Sequence, residues 1–201
     1  MTDYIYRQLT PEERAEIVCQ RRAKGNPIHA PPHPFRQAGY YAITAANFDH
    51  SPIMALAQRC TDFEAMLLEV LSGIDANVVG WVILPNHYHL LVGLQLLDDF
   101  STAIQRLHGR TSHDWNLEDG LTGKRRVWYK FYDRQIRNQR HYYKALNYIH
   151  YNPVKHNYVH DPYEWPWTSL HNYFEDKGRE WLRLQWHEFP PDNEMSEEFQ
   201  E

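Results

Sequence analysis

The chain has 201 residues, of which 42 % are apolar and 23 % are charged, and these fractions are typical of a globular protein. They exclude a wholly disordered chain and a fibrous repeat. No apolar run reaches the ~18 residues of a membrane-spanning helix, and the first residues lack the apolar core of a signal peptide. We therefore expect a soluble, cytoplasmic protein with one main domain. The two cysteines, Cys19 and Cys60, are too few for a disulfide framework or a four-thiolate metal site.

Charge is distributed unevenly along the chain. The net charge is −5, but residues 101–160 hold eleven Lys and Arg against four Asp and Glu, a net of +7. Residues 175–201 hold three basic against nine acidic residues, a net of −6. A local basic patch is typical of a protein that binds a phosphate backbone. A solvated basic face without a partner would have the same charge, so this observation leaves both interpretations open.

The N-terminal sequence predicts a helix followed by a linker. Thr10 can cap a helix, Pro11 suits its first position, and the pattern continues to Lys24. Three prolines within residues 30–34 then exclude regular structure. We expect an N-terminal helix and Pro-rich linker over residues 1–37, a main domain over residues 38–173 and an acidic C-terminal tail over residues 174–201.

From residue 38 onward the apolar pattern alternates between the periods of a strand and of a helix. The order β-α-β-β-α-β-α predicts an α+β fold with a ferredoxin-like (split βαβ) antiparallel sheet, two helices on one face and the third on the other. The predicted elements are a strand at Gly39–Asn47, a helix from Ser51 to about Ser72, strands at Asn77–Leu84 and His87–Leu94, a helix at Phe100–Trp115, a strand at Val127–Ile136 and a helix at Gln139–Asn152 that Pro153 ends.

Two histidines lie side by side on the third predicted strand. His87 and His89 are two residues apart, so both side chains point to one face, while Tyr88 points to the other. Two neutral imidazoles on a rigid strand form half of a divalent metal site. With thirteen histidines in the chain, such a pair also arises by chance, and a structural role stays open.

The third predicted helix supplies candidates for a nucleophile and a further ligand. Tyr148 and Asn152 are four residues apart and share a face, at the edge of the apolar stripe that should contact the sheet. Tyr151 points roughly the opposite way. Helical geometry thus selects Tyr148, although a packed aromatic residue would fit the same position.

Two motifs give the chain a family resemblance. The first is Pro85-Asn86-His87-Tyr88-His89-Leu90-Leu91-Val92, and the second, about sixty residues later, is Tyr148-Ile149-His150-Tyr151-Asn152-Pro153-Val154. In order and spacing they resemble the single-tyrosine HUH transposases, and among these the branch of REP-associated tyrosine transposases. The segments Trp128–Asp133 and Trp165–Ser169 also resemble that branch. The resemblance spans about residues 38–173, with one departure, because the middle HUH position is usually aliphatic and is Tyr88 here.

The resemblance implies an HUH-type enzyme that cleaves and rejoins single-stranded DNA in DNA transposition. His87, His89 and Asn152 would hold a divalent metal ion, Mg²⁺ or Mn²⁺. Tyr148 would attack the scissile phosphate and give a 5′-phosphotyrosine and a free 3′-hydroxyl. The substrate would be hairpin DNA, bound by a monomer or a homodimer. The base that activates Tyr148 is not evident, and His150 and a bound water are the candidates.

We expect the basic middle of the chain to contact this DNA. Trp128 is a candidate platform for base stacking. The candidate phosphate contacts are Arg106, Arg110, Lys124, Arg125, Arg126 and Lys130.

Two other functions compete with this prediction. One is a catalytically silent module that binds hairpin DNA or RNA on the same fold. The other is a metal-dependent nuclease or phosphatase that uses activated water, which would need more carboxylates near the histidines. A covalent protein–DNA intermediate separates the first function from both.

Overall fold

The computed structural model describes residues 38–121 and 125–191, together with Thr10, Glu12, Glu13 and Glu16. Near the N-terminus the Thr10 N–H donates to Glu13 Oε2 at 2.7 Å, and the Glu13 N–H donates to Thr10 Oγ1 at 3.3 Å. This reciprocal pair is a capping box, and it begins a helix where the sequence predicts one. The remainder of the predicted N-terminal helix, the Pro-rich linker and residues 192–201 lie outside the described residues.

A four-stranded antiparallel sheet forms the centre of the described domain, with the order β2-β3-β1-β4. Together with the helices that connect the strands, this order is the split βαβ arrangement, which confirms the predicted fold class. The strands are β1 (Gly39–Ala46), β2 (Asn77–Ile83), β3 (His87–Leu94) and β4 (Tyr132–Gln135).

Helices cover both faces of the sheet, as predicted. The apolar residues of α1 and α2 pack with Ile43 and Leu90 on one face, and those of α3 pack with Ala42 and Leu91 on the other. Among the described residues, no helix has the length and apolar character needed to cross a bilayer. The helices are α1 (Ala57–Ser72), α2 (Leu97–Glu118), α3 (Gln139–Lys155) and α4 (Leu170–Glu188).

The register of β1 and β3 fixes the direction of the two candidate histidines. His87 pairs with Ala46, and His89 pairs with Thr44. Tyr88 is fully buried in the core between the sheet and the helices α1 and α2. Because side chains alternate along a strand, His87 and His89 point to the opposite face, beneath α3. The structure confirms the predicted alternation.

Helix α1 begins at Ala57, so the predicted start at Ser51 is wrong. The backbone N–H of Met54 donates to the Pro85 carbonyl at 2.8 Å, and this bond holds residues 51–56 against the β2–β3 turn. Met54 is fully buried there. The apolar residues of this segment therefore reflect burial in a turn and not helical periodicity. Helix α2 is extended at both ends relative to the prediction, which had it at Phe100–Trp115.

Strand β4 is shorter than the predicted strand at Val127–Ile136. Residues 127–131 run irregularly past the end of β1, where the Phe48 N–H donates to the Val127 carbonyl at 2.8 Å and the Tyr129 N–H donates to the Ala46 carbonyl at 2.9 Å. The Trp128 indole N–H donates to Thr111 Oγ1 of α2 at 2.9 Å, so this side chain is anchored in the core and not on a regular ladder. The basic segment consequently lies beside the end of β1.

Helix α3 continues through Pro153, where the sequence predicts its end. Pro153 lacks an N–H, but the next turn is retained, and the His156 N–H donates to the Asn152 carbonyl at 3.1 Å. Helix α4 was not predicted at all, and it covers part of the region assigned to the acidic tail. It is interrupted at Gly178, whose φ of +80° suits glycine. The buried Leu182 anchors it to the domain.

Candidate active site

The four residues predicted to carry the chemistry meet between the start of β3 and the second half of α3. The ring centres of His87 and His89 are 4.9 Å apart, and the Tyr148 ring lies 5.3 Å from that of His89. Tyr148 is buried and Asn152 is fully buried, whereas Tyr151 is 36 % exposed. The structure thus agrees with the face of α3 predicted from helical spacing. The chemical roles of these residues stay a prediction.

A chain of hydrogen bonds orients the His87 ring. The Asn86 side chain donates through Nδ2 to the His50 carbonyl at 3.2 Å, which turns its Oδ1 toward His87. The Nδ1–H of His87 donates to that oxygen at 2.7 Å. This tautomer leaves the lone pair on Nε2, the atom that an imidazole uses to bind a metal.

His89 is held from the neighbouring strand. Its Nδ1 lies 2.7 Å from Oγ1 of Thr44, which is opposite it in the β1–β3 register. Burial, followed by the proximity of His156, lowers the pKa of His87 to about 3. Burial and the neighbouring His87 lower the pKa of His89 well below its ordinary value. Both imidazoles are therefore neutral near pH 7, as metal ligands must be.

The Asn152 side chain fits the place of a third ligand. It approaches His87 and Tyr148 closely enough to act on their pKa values as a hydrogen-bonding group, raising the first and lowering the second. Neither its oxygen nor its nitrogen, however, meets the distance and angle of a full hydrogen bond with any described residue. A fully buried amide without partners is costly unless something else satisfies it. Within the described residues no group of three or more His, Cys, Asp or Glu side chains could hold a metal ion. A site at His87 and His89 would therefore need an amide oxygen such as that of Asn152.

Tyr148 has a charged partner that sequence reasoning missed. The Lys155 ammonium donates to the Tyr148 hydroxyl at 3.0 Å and lies 4.7 Å from the centre of its ring. Burial raises the pKa of Tyr148 to about 12 and lowers that of Lys155. The prediction that Pro153 ends the helix concealed this contact, because the last helical turn brings Lys155 back toward Tyr148. The only signal in the sequence was the spacing of seven residues, two helical turns.

His150, a predicted candidate for the activating base, points elsewhere. Its Nε2 lies 2.9 Å from Ser169 Oγ, and its ring packs against Tyr173 of α4. It is therefore a buried packing residue on another side of α3. His156, which the prediction did not include, lies beside the site, with its ring 4.9 Å from that of His87.

Four of the predicted DNA contacts, Arg125, Arg126, Trp128 and Lys130, line an open cavity of about 610 Å³ between α2 and residues 125–131, whereas Arg106 and Arg110 lie on α2 beyond its lining. Arg125 is engaged by Asn116 and by Asp119, to which it donates at 2.8 Å. Trp128 is only 6 % exposed and stacks on His108, so little of its ring is accessible. Lys124 lies outside the described residues. The exposed cations in this region are Arg106 and Arg110 on α2, and Arg126 and Lys130 on the loop.

This cavity and the histidine pair adjoin the same end of the sheet. Tyr129, in the wall of the cavity, donates its backbone N–H to Ala46, the residue that pairs with His87. The Tyr129 hydroxyl also donates to Asp49 at 3.0 Å, in the turn that ends with His50. The cavity wall and the His87 position are therefore connected through the end of β1.

Comparisons with known proteins agree on one family. No protein-family model matches the chain. A REP-associated tyrosine transposase of Escherichia coli is 31 % identical over 97 residues, which are 47 % of this chain and 54 % of that protein, so the chain spans about half the length of this relative. A protein of Haemophilus influenzae provisionally named a REP-associated tyrosine transposase is 27 % identical over 146 residues, which are 68 % of this chain and 82 % of that protein.

One solved structure supports the fold. It is a REP-associated tyrosine transposase bound to a REP hairpin, and it superposes with a TM-score of 0.57 at 23 % identity. The match covers 72 % of this chain and 84 % of that one.

Proposed function

We propose that the chain acts as the REP-associated tyrosine transposases to which it is similar, and that it cleaves and rejoins single-stranded DNA through a covalent bond to Tyr148. The observation that carries this proposal is the position of one buried tyrosine beside two neutral, oriented histidines. A tyrosine that merely packs in a core has no need of such neighbours.

In the proposed reaction the Tyr148 oxygen attacks the scissile phosphorus. The bond from phosphorus to the 3′-oxygen breaks, the products are a 5′-phosphotyrosine and a free 3′-hydroxyl, and the phenolic proton is balanced by the one that the 3′-oxygen takes up. A phenolate is both a nucleophile and a leaving group, so the same step runs backward to rejoin the strand.

His87, His89 and Asn152 would hold a divalent ion, Mg²⁺ or Mn²⁺. When bound, the ion would polarise a non-bridging oxygen of the scissile phosphate. The amide without partners on Asn152 and the lone pair that Asn86 leaves on His87 both suit this role. Two imidazoles with one amide oxygen form a mixed set of ligands, which should favour Mn²⁺ at least as much as Mg²⁺.

We propose hairpin DNA as the substrate, since a relative with the same fold has been solved with a REP hairpin. The exposed cations around the cavity, Arg106, Arg110, Arg126 and Lys130, would contact phosphates. Trp128 would contribute the floor of the cavity and not a free stacking surface. The four residues of the proposed site lie together within one chain, an arrangement that a monomer and a homodimer both allow.

The test is an adduct assay. Purified protein is incubated with a library of labelled single-stranded hairpins and Mn²⁺ or Mg²⁺, and then separated by denaturing electrophoresis. We expect a labelled protein–DNA adduct that is absent in Tyr148→Phe and retained in Tyr151→Phe, a matched control on the exposed side of the same helix. An adduct in Tyr148→Phe would contradict the assignment. Binding of hairpins without an adduct, with either metal, would instead favour the silent binding module.

A further inference from the structure

We propose that Lys155 is a catalytic residue, whose ammonium group stabilises the negative charge on the Tyr148 oxygen when the DNA is cleaved and again when it is rejoined. This inference rests on the proposed function and adds to it the group that activates the nucleophile, for which the sequence offered no convincing candidate.

The geometry is specific to the reacting atom. The Lys155 Nζ lies 3.0 Å from the Tyr148 hydroxyl oxygen, which is hydrogen-bond distance. It also lies 4.7 Å from the ring centre, so the cation sits near the face as well as the oxygen of the phenol. Both residues belong to α3, two turns apart, so the helix itself fixes the contact.

Tyr148 needs such a partner because it is buried. Removal from water disfavours a negative charge on its oxygen, and the described ring is buried beside His89. A cation at hydrogen-bond distance in a site with little water stabilises the developing charge far more than it would in solvent.

The other ionisable groups that face this tyrosine do not replace Lys155. His89 packs edge-on against the ring from β3, and burial keeps it neutral. His87 is also neutral, and its Nδ1–H is committed to Asn86. His156 contacts His87. Lys155 is thus a cation that reaches the oxygen directly, at 3.0 Å.

The chemical consequence is symmetrical. In cleavage, the Tyr148 oxygen forms its bond to phosphorus as its proton passes to water, and the 3′-oxygen takes a proton as it leaves. In rejoining, the 3′-hydroxyl attacks, the bond from phosphorus to the Tyr148 oxygen breaks, and the departing phenolate meets the same ammonium group. Lys155 need not lose its own proton in either direction.

The experiment measures single-turnover adduct formation by the full chain with a hairpin that the wild-type protein cleaves. Lys155→Met should slow this step about 100-fold or more, the usual effect of removing one donor from a developing oxyanion. Lys155→Arg, which keeps the charge, should recover most of the loss. Hairpin affinity should change little in both variants. Lys177→Met, which removes an exposed cation on α4, is the matched control and should cleave like the wild type.

A second measurement separates chemistry from folding. A fluorinated tyrosine at position 148 is more acidic, so its phenolate depends less on stabilisation by a nearby cation. The decrease in the rate of adduct formation caused by Lys155→Met should then be at least about tenfold smaller. A merely structural lysine would give the same loss with either phenol. An unchanged cleavage rate in a folded Lys155→Met protein would overturn the role of Lys155 alone. Absence of any adduct in the wild type would instead overturn the proposed function and this inference together.

Discussion

At the scale of single residues, the candidate active site contains a buried polar side chain, Asn152, that packing alone does not explain. Asn152 is fully buried with two polar atoms that no described residue satisfies, although it lies between His87 and Tyr148. Burial of an unpaired amide usually costs about 1–3 kcal/mol. An amide retained at such a cost is better explained by a ligand than by packing.

Asn152→Leu separates these two explanations. The apolar side chain has a similar volume and no unsatisfied atoms, so the free energy of unfolding should rise by about 1 kcal/mol. At the same time the affinity of the DNA-free protein for Mn²⁺, followed by electron paramagnetic resonance, should fall at least about tenfold. Asn172→Ala, an exposed asparagine on α4, is the control for both measurements. A less stable Asn152→Leu protein with unchanged Mn²⁺ affinity would mean that Asn152 is structural.

At the scale of elements, α3 is held by contacts with α4, a helix that was not predicted from the sequence. The buried Asn147 side chain of α3 donates to the carbonyl of Gln185, at 3.0 Å, and to that of Phe189, at 2.7 Å. The Gln185 carbonyl also accepts the Phe189 N–H at 2.8 Å, and Phe189 is the residue that follows the last helical turn. One side chain thus caps α4 and ties it to the helix that carries Tyr148.

Asn147→Ala should therefore be costly although it removes no apolar surface. It removes the side-chain donor of the Phe189 carbonyl and one of the two donors of the Gln185 carbonyl, so the free energy of unfolding should fall by about 1–3 kcal/mol. For a chain of this size each kcal/mol corresponds to about 2–4 °C in the midpoint of thermal unfolding. Urea and thermal unfolding give both values, with Asn172→Ala again as the control. A change within about 0.5 kcal/mol, typical of surface substitutions, would rule out the tie.

Strands and faces were predictable from the sequence because alternation is a local property. His87, Tyr88 and His89 could be assigned to faces by counting, and Tyr148 could be separated from Tyr151 in the same way. Ends of elements were not predictable, since they depend on distant partners. Met54 lies outside the helix because its N–H donates to the Pro85 carbonyl, and Trp128 lies outside the strand because its indole donates to Thr111. Helix α3 continues beyond Pro153. Helix α4 is rich in charged residues and is interrupted at Gly178. It is held against the domain by the hydrogen bond from Asn147 and by the buried side chain of Leu182.

At the scale of the whole molecule, charge separation favours a polyanion near one end of the sheet despite the net charge of −5. If four exposed cations contact phosphates of a single strand, the logarithm of the binding constant should fall against the logarithm of salt concentration with a slope of about −3. Lys130→Gln should make that slope shallower by about 0.7, while Lys177→Gln should leave it unchanged. Fluorescence anisotropy with a labelled hairpin measures both. Affinity independent of salt would contradict a phosphate-binding surface.

Buried histidines make the same molecule sensitive to acid. Burial lowers the pKa of His87, His108 and His150 to about 3, and it also lowers the pKa of His89 well below the ordinary value of 6.5. Between pH 3 and 6.5 the unfolded chain therefore binds more protons than the folded one. Stability is complete above pH 6.5 and is lost as the pH falls.

Each of these histidines steepens the loss of stability by up to about 1.4 kcal/mol per pH unit, so the four together steepen it by up to about 5.6 kcal/mol per unit. The total stability of an ordinary domain is about 5–15 kcal/mol. We expect cooperative unfolding above pH 4, measured by urea unfolding in steps of pH. His108 is remote from the candidate site and bonds to the Tyr88 hydroxyl at 3.1 Å. His108→Gln should flatten the pH dependence by about 1.4 kcal/mol per unit, whatever it does to stability at pH 7. An unchanged slope in His108→Gln would show that His108 is protonated in the folded protein.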